Sequence, residues 1–173
     1  MARRDLVVKA LLLLLVAAFL GAVLRPGDAA APRPGQRVPE FDLRADDGGR
    51  IRLADFRGKI LVINFWATWC PPCVEEMPSL DRFQRMFAGR GVEVLGISVD
   101  DDENAYRSFL AHHNLRLKTV RDPEKKISAL YGTFKYPESY ITDREGRLAQ
   151  KVVGPEDWVG PRITALFHDL IAR

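Results

Sequence analysis

Two cysteines and three histidines are all that the 173 residues offer to a metal ion or to thiol chemistry. That scarcity excludes a disulfide-rich scaffold. It also excludes a finger-type zinc centre, because His112, His113 and His168 do not stand at ligand spacing from the single cysteine pair. The acidic run Asp100-Asp101-Asp102-Glu103 lacks the spacing of an EF-hand and reads as the solvated start of a helix. A basic surface is missing as well. The formal charge of +3 is accounted for by Arg3, Arg4, Lys9 and Arg25 against Asp5, which leaves the rest of the chain neutral and without a phosphate-binding stripe. Nucleic acid is therefore not an expected partner. No internal repeat is present, and the length suits one domain of ordinary size.

Long apolar runs are confined to the amino terminus. Residues 6–24 are apolar apart from Lys9 and Gly21, and they follow the basic start MARRD. Positive charge ahead of such a run keeps the amino terminus in the cytoplasm and sends the remainder across the membrane. The uninterrupted stretch 10–24 is shorter than the roughly 20 residues that span a bilayer, but residues 6–24 with a snorkelling Lys9 nearly suffice. Residues 1–25 thus read as a membrane anchor or a signal segment. Ala29-Ala30-Ala31 offers a cleavage pattern, yet the polar Arg25 to Asp28 before it favour an uncleaved single-pass anchor. No cysteine lies near the run, so a lipid-modified terminus is excluded. Residues 26–37, rich in proline and glycine, suit an extended linker, and the domain is expected over 38–173.

Within that domain, two short strands flank the turn residues 46–49. Residues 59–66 (KILVINFW) form a continuous β-branched, apolar run of buried-strand type, followed by helical spacing over 71–90. Residues 92–99 repeat the strand signal, and a helix is expected from the acids at 100–103 to about 113. A weak strand over 117–121, a short helix over 124–131, a hairpin of 139–142 with 147–153, and a last helix over 155–172 complete the pattern. Two successive βα units favour parallel strands with a right-handed crossover. The expected fold class is α/β, a central mixed sheet with helices on both faces.

Both cysteines fall where strand 59–66 hands over to the following helix, in the order Cys70-Pro71-Pro72-Cys73. A thiolate at a helix amino terminus meets unpaired N–H groups and the positive end of the dipole, which lower its pKa and make it the attacking form. Cys70 occupies that position. Pro72 has no N–H to give, so the N–H of Cys73 is the expected partner of the Cys70 sulfur. A purely structural disulfide this local would cross-link almost no chain and stabilise little. Glu76, three residues after Cys73, falls one turn along on nearly the same helix face, where a partly buried carboxylate could exchange a proton with that thiol. Trp66 is expected in the core, and Trp69 on the surface beside Cys70.

The blocks LVINFWATWCPPCVEEMPSL, GVEVLGISVD, KYPESYITDREG and VPEFDLRADDGGRIRLADFRGK together resemble the TlpA/ResA/DsbE-like thioredoxin family over about residues 38–153. The resemblance implies a thioredoxin-like fold and a thiol–disulfide oxidoreductase on the periplasmic side of a bacterial inner membrane. It further implies reductive work on disulfides of exported proteins, apocytochrome c or copper-centre proteins, and resupply from a membrane thiol electron donor. No cofactor beyond the Cys70–Cys73 disulfide and no metal are implied. Pro137 matches the family's cis-proline beside the disulfide, and Trp69, Pro71, Pro72, Tyr136 and Glu138 are the implied substrate-docking residues. Asn64 stands where cytosolic thioredoxins carry a buried aspartate, which leaves Glu76 as the candidate proton acceptor. Glu138 after the proline tilts the client toward cytochrome c maturation. Copper(I) delivery through the two thiols, and thiol peroxidase activity suggested by GISVD, remain alternatives.

Overall fold

A computed structural model describes residues 12–16, 31–45 and 48–173. The chain order after the amino-terminal segment is β1 (Asp42–Arg44), β2 (Arg50–Arg52), a 3-10 turn Leu53–Phe56, β3 (Ile60–Trp66), α1 (Pro71–Phe87), β4 (Val92–Ser98) and α2 (Glu103–His113). It continues through β5 (Lys118–Arg121), α3 (Lys126–Leu130), β6 (Glu138–Thr142), β7 (Leu148–Val153) and α4 (Pro161–Ala172). Strands β1 and β2 form an antiparallel pair, and the others form a five-stranded sheet in the order β5-β4-β3-β6-β7. β3 runs parallel to β4 and antiparallel to β6, so the sheet is mixed, as its sequence pattern predicts. Residues 12–16 are helical, and among the described residues no helix is long and apolar enough to cross a membrane. The expected anchor over 6–24 lies mostly outside the described residues.

β3 is buried along its whole length, and its alternation divides the interior in two. Ile60, Val62 and Trp66 join Met77, Leu80, Phe83, Phe87, Ile163 and Phe167 under the helices α1 and α4. Leu61, Ile63 and Phe65 face the other way, toward Val38, Phe41, Phe56, Tyr131 and Tyr140. Each such side chain stabilises the fold by about 1.5–3 kcal/mol on burial, so β3 is the element both layers depend on.

Two boundaries differ from the sequence pattern. Residues 35–37, expected in the linker, are bonded to the hairpin: Gly35 N–H donates to Leu148 O at 2.8 Å, Leu148 N–H to Gln36 O at 2.8 Å, and Arg37 bridges Arg147. The last helix starts at Pro161 rather than 155. Gly154 turns the chain out of β7 at φ +87°, and the polar groups of residues 156 and 158 are engaged elsewhere, as described below.

Candidate active site

Cys70 and Cys73 form a disulfide with Cα atoms 5.3 Å apart. Cys70 is the extended residue capping α1, with Pro71 and Pro72 in the first turn, where a missing N–H costs no intrahelical bond. The N–H groups of Cys73 and Val74 donate to the Cys70 carbonyl at 3.0 and 3.1 Å. The expected N–H bond from Cys73 to the Cys70 sulfur is therefore not made in this oxidised state, in which the sulfur carries no charge to attract it. Cys70 is 5% exposed and Cys73 0%, so a partner reaches only the first sulfur.

The loop that delivers Cys70 is held by Asp100. This buried carboxylate accepts from Thr68 N–H (3.0 Å), from the Thr68 hydroxyl (2.7 Å) and from the Ser98 hydroxyl (2.5 Å). The sequence pattern assigned Asp100 to the start of α2, but the residue that caps that helix is Asp102, which accepts from Asn104 and Ala105 N–H. An acid directly after a buried strand was the available sign.

Glu76 lies on the buried face of α1 with Cys73, one turn away. Its Oε1 accepts from Asn64 Nδ2 at 2.8 Å, and its Oε2 accepts from Glu156 N–H at 3.0 Å and from Trp158 Nε1–H at 3.4 Å. Asn64 also donates to Ser139 Oγ, which ties the carboxyl to β3 and β6. Burial pushes the Glu76 carboxyl up to about 7, against the hydrogen bonds from Asn64 and Trp158, which pull the other way. Glu156 and Trp158 sit 80 and 82 positions from Glu76 in the chain, and no local spacing rule connects them.

The Tyr136–Pro137 peptide bond is cis, and the Pro137 carbonyl accepts from Gly154 N–H at 2.9 Å. Trp69 is 59% exposed and meets the half-buried Tyr136 edge-to-face at 5.9 Å, while Pro71 is exposed and Phe134 is 76% exposed. Phe134 was not among the expected docking residues. Trp66 packs in the core. Glu138 departs from its expected docking role: its side chain is fully buried on the face of the sheet opposite Glu76, where Lys151 Nζ lies 2.8 Å from its Oε1. Alternation explains the difference, since Ser139 takes the Asn64 side of β6 and Glu138 the other.

The pattern of the AhpC/TSA family matches residues 34–151. The chain belongs to the AhpC/TSA family. It is a thiol–disulfide oxidoreductase with Cys70–Cys73 as its active-site disulfide. Among this family member's relatives, the thiol-disulfide oxidoreductase ResA of Bacillus thuringiensis is 28% identical over 90% of this chain and 92% of its own. The thioredoxin-like protein YneN of Bacillus subtilis is 36% identical over 69% and 71%. A DsbE-type thiol:disulfide interchange protein from Chlorobium tepidum superposes with a TM-score of 0.77 at 25% identity, covering 82% of this chain and 99% of that one. The fold is thus thioredoxin-like.

In such a site the thiolate attacks a disulfide sulfur, a mixed disulfide forms, and a second thiol resolves it. One accessible sulfur and one enclosed sulfur are the parts this sequence of steps requires, and a buried carboxyl lies on the helix face of the enclosed one.

Proposed function

We propose that this oxidoreductase is a reductant of disulfides in exported proteins, apocytochrome c foremost, held at the outer face of the bacterial inner membrane by residues 6–24. The observation that carries the reading is Glu76: a buried carboxyl on the face of Cys73, with no cation against it among the described residues. A carboxylate so placed disfavours a thiolate beside it. That destabilises the reduced form relative to the disulfide and lowers the potential, the reverse of the thiolate-stabilising arrangement that makes a strong oxidant. In the same reading Cys70 is the nucleophile, Cys73 the resolving thiol, and Glu76 takes the Cys73 proton as the ring closes.

The rim of Trp69 and Tyr136, with the exposed Phe134 two residues before Tyr136 in the chain, supports docking of an unfolded, apolar client segment beside Cys70 and Pro137. The exposed side chains of Leu12, Leu13, Leu14, Leu15 and Val16 on a helical stretch are consistent with insertion into lipid.

Equilibration of the pair with glutathione tests the direction of electron flow. A potential below about −220 mV supports the reductant, and one near −120 mV, the range of a strong oxidant, overturns it. Clients are identified by expressing Cys73→Ser in cells and sequencing what it traps. Chains with a Cys-x-x-Cys-His motif support the cytochrome reading, copper-centre proteins replace it, and tight Cu(I) binding with no trapping favours copper delivery. A soluble mature protein beginning at Pro32 would contradict the anchor.

A further inference from the structure

We infer that the loop from Gly154 to Gly160 is a positioning element for Glu76 and opens a proton exit to solvent that is separate from the client-docking rim. The inference rests on the reading of Glu76 as the proton carrier and adds to it a route and the residues that govern it.

The loop supplies two of the three donors that hold the carboxylate. Glu156 N–H and Trp158 Nε1–H both point at Oε2, while Asn64 holds Oε1 from the sheet. All three donate, so together they favour the anion that can accept a proton. Trp158 is locked in the core against Phe83 at 5.6 Å, which fixes the indole N–H. The Ser79 hydroxyl donates to Glu76 O at 2.9 Å and lies 3.4 Å from Glu156 O, so it stitches α1 to the loop.

Beside these contacts is an open recess of about 350 Å³ lined by Glu75, Glu76, Ser79, Pro155, Glu156 and Asp157. None of Trp69, Cys70, Pro71, Tyr136 or Pro137 lines it. Its charged groups are the carboxylates of Glu75, Asp157 and Glu156, the last paired with Arg162 of α4. From β3 the neutral Asn64 reaches Glu76 and is itself bonded to the neutral Ser139 of β6, and Glu138 lies across the sheet with Lys151. The recess is thus open to solvent and lined by acidic side chains, a path by which a proton leaving Glu76 reaches bulk water.

The steps balance as follows. The Cys70 thiolate attacks a client disulfide, forming the Cys70–client bond and expelling one client thiolate. Cys73 then gives its proton to the Glu76 carboxylate, attacks the Cys70 sulfur, and expels the second client thiolate as the Cys70–Cys73 bond forms. Two electrons pass from the enzyme dithiol to the client. Glu76 returns its proton to solvent through the recess, and the client thiolates take theirs from water. Because the covalently held client covers the rim during this step, an exit elsewhere lets the proton leave before the client does.

The test follows ring closure in the reduced full-length chain by stopped flow across pH, with oxidised glutathione as a small disulfide and insulin as a protein disulfide. Trp158→Phe keeps an aromatic ring, though a smaller one, and removes the N–H, so the Glu76 anion loses a donor. The inflection should move up by about half a pH unit, with closure about threefold slower below it. A Trp158→Phe profile coincident with wild type would overturn the positioning role. The insulin arm needs no variant: the same inflection with both disulfides supports the separate exit, and its loss with insulin alone overturns it. Glu76→Gln is the control that separates the two levels, since an inflection retained in that variant refutes the carrier reading itself.

Discussion

Glu76 and Glu138 are two buried carboxyls on opposite faces of one sheet, and they differ in what surrounds them. Glu138 has a cation, Lys151, at 2.8 Å, and Tyr140 OH at 3.3 Å. Burial lowers the Lys151 pKa, but its hydrogen bonds to Glu138 and Tyr140 outweigh this and hold it above its ordinary value, so the cation stays charged. The Tyr140 hydroxyl reaches the Tyr131 carbonyl at 2.6 Å and Thr133 Oγ1 at 3.0 Å, both in the segment that leads to Pro137. Glu76 has three N–H donors and, among the described residues, no cation against it. The same residue type at the same depth is an anchor where a countercharge is supplied and, in the proposed mechanism, a proton carrier where only dipoles are.

The largest expected effect is on stability against pH. The Glu76 carboxyl titrates at about 7 in the folded chain against 4.5 ordinarily. A raised acid contributes stability fully below pH 4.5 and loses it as pH rises through about 7. Relative to Glu76→Gln, the wild-type unfolding free energy should fall by ~3 kcal/mol over that window, read from urea melts at several pH values. Parallel curves would break the comparison. Next, Lys151→Met should cost about 2 kcal/mol, less than the roughly 3–5 kcal/mol of breaking a fully buried pair. The lysine side chain keeps 26% exposure, which moderates the loss. Adding Glu138→Gln should recover part of that loss, and no recovery would mean that the pair is not what matters.

Asp100 sharpens the contrast, since it is a third buried acid satisfied by neutral donors and set against the cysteine loop. Asp100→Asn should cost about 1 kcal/mol and slow thiol exchange without moving its pH inflection. The smallest effect is expected at Trp69. Trp69→Ala should raise KM for a protein disulfide about threefold, with turnover of oxidised glutathione unchanged.

What the sequence made legible were features with local physical causes. β3 is readable because a strand buried on both faces must be apolar throughout, and Cys70-Pro71-Pro72-Cys73 because proline, dipole and thiol coincide at one helix start. Glu76 followed from its three-residue spacing to Cys73. Illegible were partners brought together only by folding. Trp158 and Glu156 lie on a loop whose pattern resembled the first turns of α4, and Phe134 had no periodic context. Glu138 was read as a docking residue from the family resemblance at the position after Pro137, whereas strand alternation sends its side chain through the sheet to Lys151.

The central claim, that Glu76 carries the Cys73 proton, is tested most directly by the rate at which a preformed Cys70–glutathione mixed disulfide closes to Cys70–Cys73, measured against pH in wild type and Glu76→Gln. The apparent values belong to the coupled acid and thiol. The account predicts an inflection near neutral pH in the wild type. In the variant that inflection should be absent and closure about 100-fold slower at pH 7. A variant with the wild-type inflection and rate would contradict it.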